Sequence, residues 1–335
     1  MAVSVRDVAV AASVSVGTVS NVLNNPTRVS PEMVVRVQQA IADLGFVRND
    51  AARQLRAGRS RSIGLVVLDI GNPFFAEVAR GAETRAAESG MAVLLSASDE
   101  NPARESAHLD LFREQRVNGV LVTPAGDDLD KLRALQTGGV PVVLVDREVA
   151  DGTFASVAVD DVEGGYLAVA HLLARGRRRI AFVRGPVSIR QVADRLEGAR
   201  RAVAEVADAS LEEVAVPALS VLHGRAAGEA LRERDERARV DAVFAANDLL
   251  AVGVLQAFSV LGRVRVPGDV ALIGYDDIDF ASATVVPLSS IRQPAHEIGY
   301  RAVDLLLKGL DAPDGDHERQ VRFRPQLIVR DSTGG

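Results

Sequence analysis

Residues 4–24, SVRDVAVAASVSVGTVSNVLN, contain two short helical patterns separated by a break. Ser4 followed three residues later by Asp7 is typical of a capping box, and valines and alanines recur at helical spacing after it. Serines then interrupt the pattern, and Ser15 can cap a second helix over residues 16–23. The stretch therefore predicts two short helices joined by a tight turn.

A third helix is predicted after this pair. Ser30 and Pro31 are typical of an N-cap and a first helical residue, and Gly45 is suited to the end of a helix. The expected buried stripe consists of Val34, Val37, Ile41 and Leu44. Three such helices form a helix-turn-helix unit, whose second helix enters the major groove of DNA. The pattern alone also fits a three-helix cap with no ligand.

The distribution of charge favours the DNA-binding interpretation. The chain has 335 residues and a net charge of −6. Residues 1–62 carry eight arginines and four acids, a charge of +4, so the remainder carries −10. A small basic segment on a large acidic body is typical of a protein that binds a polyanion through one end.

The composition excludes several other classes of protein. There is no cysteine, so disulfides and thiolate chemistry are excluded. No apolar run approaches the roughly 18 residues of a membrane span, and no export signal precedes the first helix, so a cytoplasmic protein is expected. Phosphate-binding loops and nucleophile motifs are absent, and the five histidines are dispersed. We therefore expect no enzyme activity, no cofactor and no metal site.

Several segments together resemble the LacI/GalR family of bacterial transcription regulators. The resemblance begins in the quoted helices, includes VSP at 29–31 and AIADLGF at 40–46, and extends to LIVRDST at 327–333. Residues 49–56, NDAARQLR, look like the hinge helix of that family. The resemblance implies a helix-turn-helix domain over 1–48, a hinge over 49–61, and an effector-binding and dimerisation body over 62–332.

The resemblance also implies which residues contact DNA. Val16, Gly17 and Asn21 fall where the family reads base edges, and Thr18 and Ser20 fall where it contacts phosphates. Gly17 offers no side chain, Asn21 stands where many members have arginine, and Arg48 replaces a usual proline. The operator sequence is therefore not inferred.

In the hinge, the family places two paired helices in the minor groove. The corresponding residues are Asn49, Ala52 and Leu55, with Leu55 wedged into a base step. A helix of about eight residues is marginal alone in water, so this one needs a partner to form. The alternative is an arginine-rich linker whose Leu55 packs on the body.

In the body, apolar strand runs alternate with amphipathic helices, which predicts an α/β fold of parallel sheets covered by helices on both faces. The predicted strands are 63–68, 92–95, 120–122, 140–145, 180–183, 242–245 and 270–273. The pattern restarts after Asp160, which indicates two lobes. The resemblance implies the two-lobed architecture of periplasmic sugar-binding proteins with three crossovers, lobe 1 covering about 62–160 and 291–322 and lobe 2 about 161–290 and 323–332.

Polar residues that directly follow predicted strands are candidates for a ligand site, because ligands bind at the carboxyl ends of parallel strands. Together with one arginine and one aromatic residue that match the family's effector positions, the candidates are Asp69, Phe74, Asp146, Arg195, Asn247 and Asp276. Carboxylates, an amide and a guanidinium suit a polyol such as a sugar. The polar residues could equally be helix caps or loop acids, Phe74 could be core, and Arg195 could form a surface ion pair.

These features predict a DNA-binding transcriptional repressor, controlled by a small-molecule effector bound between two lobes. A homodimer would present two recognition helices to a pseudo-palindromic operator. The alternative is a solute-binding module without DNA function, which predicts an export signal that residues 1–10 do not show. An enzyme is a third possibility, and turnover of a bound sugar would reveal it.

Overall fold

The chain divides after residue 60 into two compact units. The structure is a computed structural model, and it describes residues 3–46, 60–149, 151–235, 238–259, 264–311 and 318–334. Each unit is built on its own hydrophobic core. Within the described ranges, no helix is long and apolar enough to cross a membrane.

The N-terminal unit consists of three helices: α1 (Val5–Ala11), α2 (Val16–Asn24) and α3 (Pro31–Leu44). The predicted capping box at Ser4 is present. The hydroxyl of Ser15 accepts a hydrogen bond from the main chain of Thr18 at 3.0 Å and caps α2. The predicted starts of all three helices are therefore confirmed, and α2 ends one residue later than expected.

The core of this unit differs from the buried stripe that was predicted for α3. Val8, Val19 and Val37 are fully buried at its centre. Leu44, expected in the core, is 36% exposed, whereas Phe46 is buried. Gly45 adopts a left-handed conformation (φ 60°, ψ 33°) that reverses the chain after α3. The reversal folds Phe46 onto the core.

The second unit contains two six-stranded sheets covered by helices, as predicted. We call them lobe 1 and lobe 2. Lobe 1 has strand order β11-β5-β4-β3-β1-β2 and is entirely parallel. Lobe 2 has strand order β12-β10-β9-β8-β6-β7, and its edge strand β12 is antiparallel to β10. The strands are β1 (Ser62–Val67), β2 (Ala92–Ala97), β3 (Val120–Val122), β4 (Val142–Val145), β5 (Ala155–Val159), β6 (Arg179–Arg184), β7 (Ser210–Ala215), β8 (Ala242–Ala245), β9 (Ala271–Asp276), β10 (Ser289–Arg292), β11 (Gln320–Phe323) and β12 (Gln326–Ile328).

Helices connect most of these strands. They are α4 (Pro73–Glu88), α5 (Pro102–Glu114), α6 (Asp130–Thr137), α7 (Asp161–Ala174), α8 (Arg190–Ala204), α9 (Val221–Arg232), α10 (Asp248–Ser259), α11 (Asp279–Ser282) and α12 (Ala295–Asp311). The chain passes between the lobes three times: at residue 160, at 293–294 and at 324–325. Three crossovers are the number that the resemblance implied.

Glycines set the spacing of the helix pairs that cover the sheets. A Cβ atom on Gly299 of α12 would lie 1.8 Å from the carbonyl oxygen of Val78 in α4. Conversely, a Cβ on Gly81 of α4 would lie 1.9 Å from the carbonyl oxygen of His296 in α12. The pairs α7–α8 and α9–α10 have the same reciprocal arrangement, through Gly165 with Gly198 and Gly224 with Gly253. In each pair the main chains approach more closely than side chains would permit.

We predict that Gly299→Ala destabilises the protein. Alanine favours the helix by about 1 kcal/mol, but its methyl group overlaps the main chain of α4, so we expect a net loss of about 1–3 kcal/mol of unfolding free energy. Urea unfolding followed by circular dichroism would measure it. The matched control is Gly126→Ala, because a Cβ there meets nothing within 4 Å. Equal stability of the two variants would contradict the packing argument.

Candidate functional site

A cavity lies between the two lobes at the carboxyl ends of their strands. The space among its lining residues, including its open mouth, is about 440 Å³. All six predicted effector residues line it: Asp69, Phe74, Asp146, Arg195, Asn247 and Asp276. The strand-end argument selected four of these residues and the family resemblance selected Phe74 and Arg195, and the fold brings all six together although they are distant in the sequence.

Asp146 and Asp276 enter the cavity from opposite lobes. Asp146 directly follows β4, and Asp276 is the last residue of β9. Both residues have a positive φ, 56° and 99° respectively, which residues other than glycine rarely adopt. Such backbone conformations persist only where the surrounding structure enforces them, and they concentrate at functional sites.

Arg195 lies on α8 with its guanidinium buried at the floor of the cavity. Its Nε donates to Asp161 at 2.8 Å, and one terminal nitrogen donates to the carbonyl of Ala246 at 2.7 Å. The same nitrogen lies 3.9 Å from a carboxylate oxygen of Asp276, and the group stacks 3.6 Å from the ring centroid of Tyr275. The residue is 4% exposed, so the alternative of a surface ion pair is wrong.

Burial acts to lower the pKa of Arg195, but Asp161, Tyr275 and Asp276 raise it above its usual value. The guanidinium therefore remains charged. It is the single cationic side chain among the described residues that line the cavity.

Two asparagines act both as helix caps and as cavity walls. Asn247 accepts a hydrogen bond from the main chain of Leu250 at 2.9 Å at the start of α10. Asn72 accepts one from the main chain of Phe74 at 3.0 Å and caps α4. The helix-cap alternative for Asn247 is thus correct, and it coexists with a position in the cavity wall. Asn72 was not among the residues predicted for the site.

Aromatic side chains form the apolar wall. Phe74 is 3% exposed and packs edge-to-face on Phe75, with ring centroids 5.0 Å apart. Phe74 therefore belongs to the core and also lines the cavity. Asp69 is half-buried and accepts a hydrogen bond from the main chain of Gly71 at 2.7 Å.

Hydrogen bonds connect the two lobes across the cavity. Asn72 Nδ2 donates to Asp276 at 3.1 Å. Gln191 Nε2 donates to the carbonyl oxygen and to the carboxylate of Asp146, at 2.6 and 3.1 Å. Gln293, which follows β10, donates to Asp276 at 2.9 Å. The sequence reasoning missed both glutamines.

Burial dominates the acid–base properties of the carboxyl groups at the site. It raises the pKa of Asp276 to about 6, and it raises that of Asp146 well above its usual value, with Asp161 adding to the effect. Beneath them, burial also raises the pKa of Asp248, which accepts hydrogen bonds from Ser290 and Ile278. One oxygen of Asp146 has no hydrogen-bond partner among the described residues, so the cavity retains a buried acceptor.

The surface of α2 presents the predicted base-reading residues. Val16, Gly17 and Asn21 are exposed, while Val19 and Val22 anchor the opposite face in the core.

The predicted phosphate-contacting residues of α2 are half-buried. The hydroxyl of Thr18 is hydrogen-bonded to that of Ser15 at 2.9 Å, and the carbonyl of Ser20 accepts from Asn24 at 2.8 Å. The predicted hinge residues Asn49, Ala52 and Leu55 lie outside the described residues.

A helix-turn-helix unit followed by a two-lobed body with a polar cavity defines a DNA-binding regulator that carries a site for a small molecule. Comparison with known protein families supports this class of protein. The family described as bacterial regulatory proteins, lacI family, matches residues 4–49, and the periplasmic binding protein-like domain matches residues 169–333. The chain belongs to the LacI family of bacterial transcription regulators.

Relatives match the chain over nearly its whole length. The ribose operon repressor of Halalkalibacterium halodurans is 34% identical over 334 residues, which is 99% of this chain and 97% of that protein. The transcriptional repressor PurR of Photobacterium profundum is 31% identical over 341 residues, covering 98% of each protein.

Solved structures give the same result. A lac repressor dimer bound to operator is 26% identical, with a TM-score of 0.85 and coverage of 99% of both chains. A LacI-family regulator from Enterococcus faecium with bound ribose is 28% identical, with a TM-score of 0.71 and coverage of 81% of this chain and 98% of that one.

We predict that Asp276 makes the stability of the ligand-free protein depend on pH. Its pKa is higher in the folded chain (about 6) than in an unfolded one, so its contribution favours the folded state below about pH 4 and is lost as the pH rises through 6. The stability of the wild type relative to Asp276→Asn should therefore fall by roughly 2–3 kcal/mol between pH 4 and 7. Urea unfolding at a series of pH values measures this difference. A flat difference would show that the carboxyl group does not titrate in this range.

Proposed function

We propose that this regulator is a repressor whose affinity for operator DNA is controlled by a sugar bound between its lobes. The observation that carries the proposal is the lining of the cavity, where carboxyl, amide and guanidinium groups stand beside the two phenyl rings of Phe74 and Phe75. Hydroxyl groups both donate and accept hydrogen bonds, and the apolar face of a sugar ring packs on aromatic side chains. We propose ribose as the first candidate, because ribose operon repressors are among its relatives.

The lining of the cavity supports a small polyol as the ligand. Asp146 supplies a buried acceptor, and Arg195 fixes the floor. A small polyol could therefore be enclosed by groups from both lobes.

The ligand acts, in this proposal, through the contacts that join the lobes. The hydrogen bonds of Asn72 with Asp276 and of Gln191 with Asp146 cross the cavity. A sugar bonded to the same side chains would change the relative energies of two lobe arrangements. A ligand shifts such an equilibrium only by its differential affinity for the two states, commonly about 1–3 kcal/mol. We propose that binding weakens the affinity for the operator.

We propose a homodimer on a pseudo-palindromic operator, as in the lac repressor dimer bound to operator. Apolar side chains are exposed at the edge of lobe 1, where Leu94 and Leu95 on β2 are each 38% exposed. On lobe 2, Phe280 and Val285 are also exposed. Exposed apolar groups of this kind are typical of protein–protein interfaces. In this assembly, two copies of α2 would enter successive major grooves.

The hinge completes the proposed DNA contact. Within residues 1–46, three arginines are balanced by three acids, so the positive charge near the N-terminus resides in residues 48–61. We propose that Asn49, Ala52 and Leu55 bind the minor groove there, with Leu55 as the wedge between bases. We propose that this regulator has no enzyme activity and acts in the bacterial cytoplasm.

We predict that Asp146→Asn weakens ribose binding by roughly tenfold or more, while leaving operator binding in the absence of sugar intact. Asparagine tolerates the left-handed backbone and can keep the bond from Gln191 through its oxygen. Its amide then presents a donor in place of the unpartnered acceptor. Calorimetry with ribose and fluorescence anisotropy with an operator duplex selected from random sequences measure the two properties.

The matched control for this variant is Asp127→Asn. Asp127 is exposed and pairs with Arg147 outside the cavity. Ribose binding and ribose-dependent release of the operator should match the wild type in this control. Normal ribose binding by Asp146→Asn would remove Asp146 from the site, and a wild type that ignores all duplexes at low salt would favour a solute-binding module.

We predict that Asn21→Ala lowers affinity for the selected operator by about 1–3 kcal/mol, because it removes a side chain that can pair with a base edge. Affinity for an unrelated duplex should change much less. Gln39→Ala is the control, since Gln39 is exposed on α3 and hydrogen-bonded to Asp43. Anisotropy titrations at one fixed salt concentration measure both duplexes. An equal loss on both duplexes would indicate a phosphate contact instead of base reading.

A further inference from the structure

Glu100, which the sequence reasoning did not select, lines the same cavity. It lies in the loop after β2 in lobe 1 and has a positive φ of 57°. The main chain of Leu219, in the loop after β7 of lobe 2, lies near its carboxylate and acts to lower the pKa of Glu100. The carbonyl of Leu219 in turn accepts from Asn247 at 3.2 Å. Glu100 of lobe 1 therefore lies near Leu219 of lobe 2, which contacts another side chain of the cavity lining.

Asp69 stands beside Glu100 on the same lobe. Burial raises the pKa of Glu100, and the negative charge of Asp69 raises it further. Both side chains are half-buried, so they retain access to water. This side of the cavity therefore has a negative potential.

No cation in the described lining offsets this potential. Four carboxyl groups line the cavity, whereas Arg195 is the one basic residue there. Arg195 is already paired with Asp161. Arg147 lies outside this lining, in an adjoining pocket, and its guanidinium binds Asp127 and the carbonyl of Gly126.

We propose that Glu100 is a specificity-determining residue, which restricts the cavity to uncharged sugars by repelling phosphorylated ones. A phosphate group bound there would lie near Glu100 and Asp69, without the guanidinium or ammonium partner that phosphate sites provide. A neutral hydroxyl, by contrast, donates a hydrogen bond to either carboxylate. The inference rests on the proposed sugar-binding function and adds to it the charge state of the effector.

The test compares a sugar with its own phosphates. Calorimetry at constant ionic strength and pH 7.5 would measure ribose, ribose 1-phosphate and ribose 5-phosphate against the wild type and Glu100→Gln. Glucose and fructose, each with its 6-phosphate, extend the panel. Glutamine has the same shape as glutamate, so the variant changes mainly the charge. The control is Asp99→Asn, which removes the same charge one residue away, from a side chain that pairs with Arg104 in solvent.

We expect the wild type to bind the neutral sugar roughly 100-fold more tightly than either phosphate, and Glu100→Gln to reduce that ratio by about tenfold for at least one phosphate. Asp99→Asn should leave the ratio within about threefold of the wild type. Comparable binding of sugar and phosphate by the wild type would overturn the inference. So would a ratio unchanged in Glu100→Gln, or one reduced equally by Asp99→Asn. If no sugar of any kind binds, the proposed function itself fails, which is a distinct result.

Discussion

The cavity depends on one buried guanidinium. Arg195 joins the first turn of α7, through Asp161, to the end of β8, through the carbonyl of Ala246, and it stacks on Tyr275 of β9. Three elements of lobe 2 thus converge on one charged group that is 4% exposed. Removing one member of such a buried set leaves an uncompensated charge, which is strongly destabilising. Arg195 acts on Asp276 directly, through an ion pair. It acts on Asn247 indirectly, because Asn247 follows Ala246 at the end of β8.

The carboxyl groups around Arg195 connect stability with recognition. Asp146 and Asp276 are held in left-handed backbone conformations and are almost fully buried, although neither condition favours an ionised aspartate. The structure retains them because hydrogen bonds from Gln191, Asn72 and Gln293 compensate part of the cost. The acceptor atoms that remain can receive hydrogen bonds from a ligand with several hydroxyl groups. A binding site of this kind is less stable empty than filled, which is typical of functional sites.

Local signals in the sequence predicted much of the fold. Helix starts at Ser4 and Ser15 were correct because a short side chain caps an adjacent main-chain group, which depends on few distant residues. Five strands were missed, namely β5, β7, β10, β11 and β12. The edge strand β7 contains two glutamates, Glu212 and Glu213, which form ion pairs with Arg234 and Arg184. Its sequence therefore lacks the apolar run that identifies a central strand.

The same reasoning explains what was found and missed in the site. Asp146 and Asp276 were selected because they follow apolar strands that the sequence made visible. Gln293 also follows a strand, but β10 begins with Ser289 and Ser290, whose buried hydroxyls are satisfied by partners distant in the sequence. Glu100 lies in a loop, near Leu219 of the other lobe. Neither relationship leaves a local pattern, so only the tertiary structure reveals them.

The reciprocal glycines have a consequence for how the body can move. A slip of one helix along its neighbour would bring a side chain against a carbonyl oxygen, so each helix pair behaves as a single solid piece. If each lobe moves as one piece, the movement that the proposed ligand causes is a change of angle at the three connections, near residues 160, 293 and 324. In that case the arrival of a small molecule is converted into rotation of one half of the body against the other.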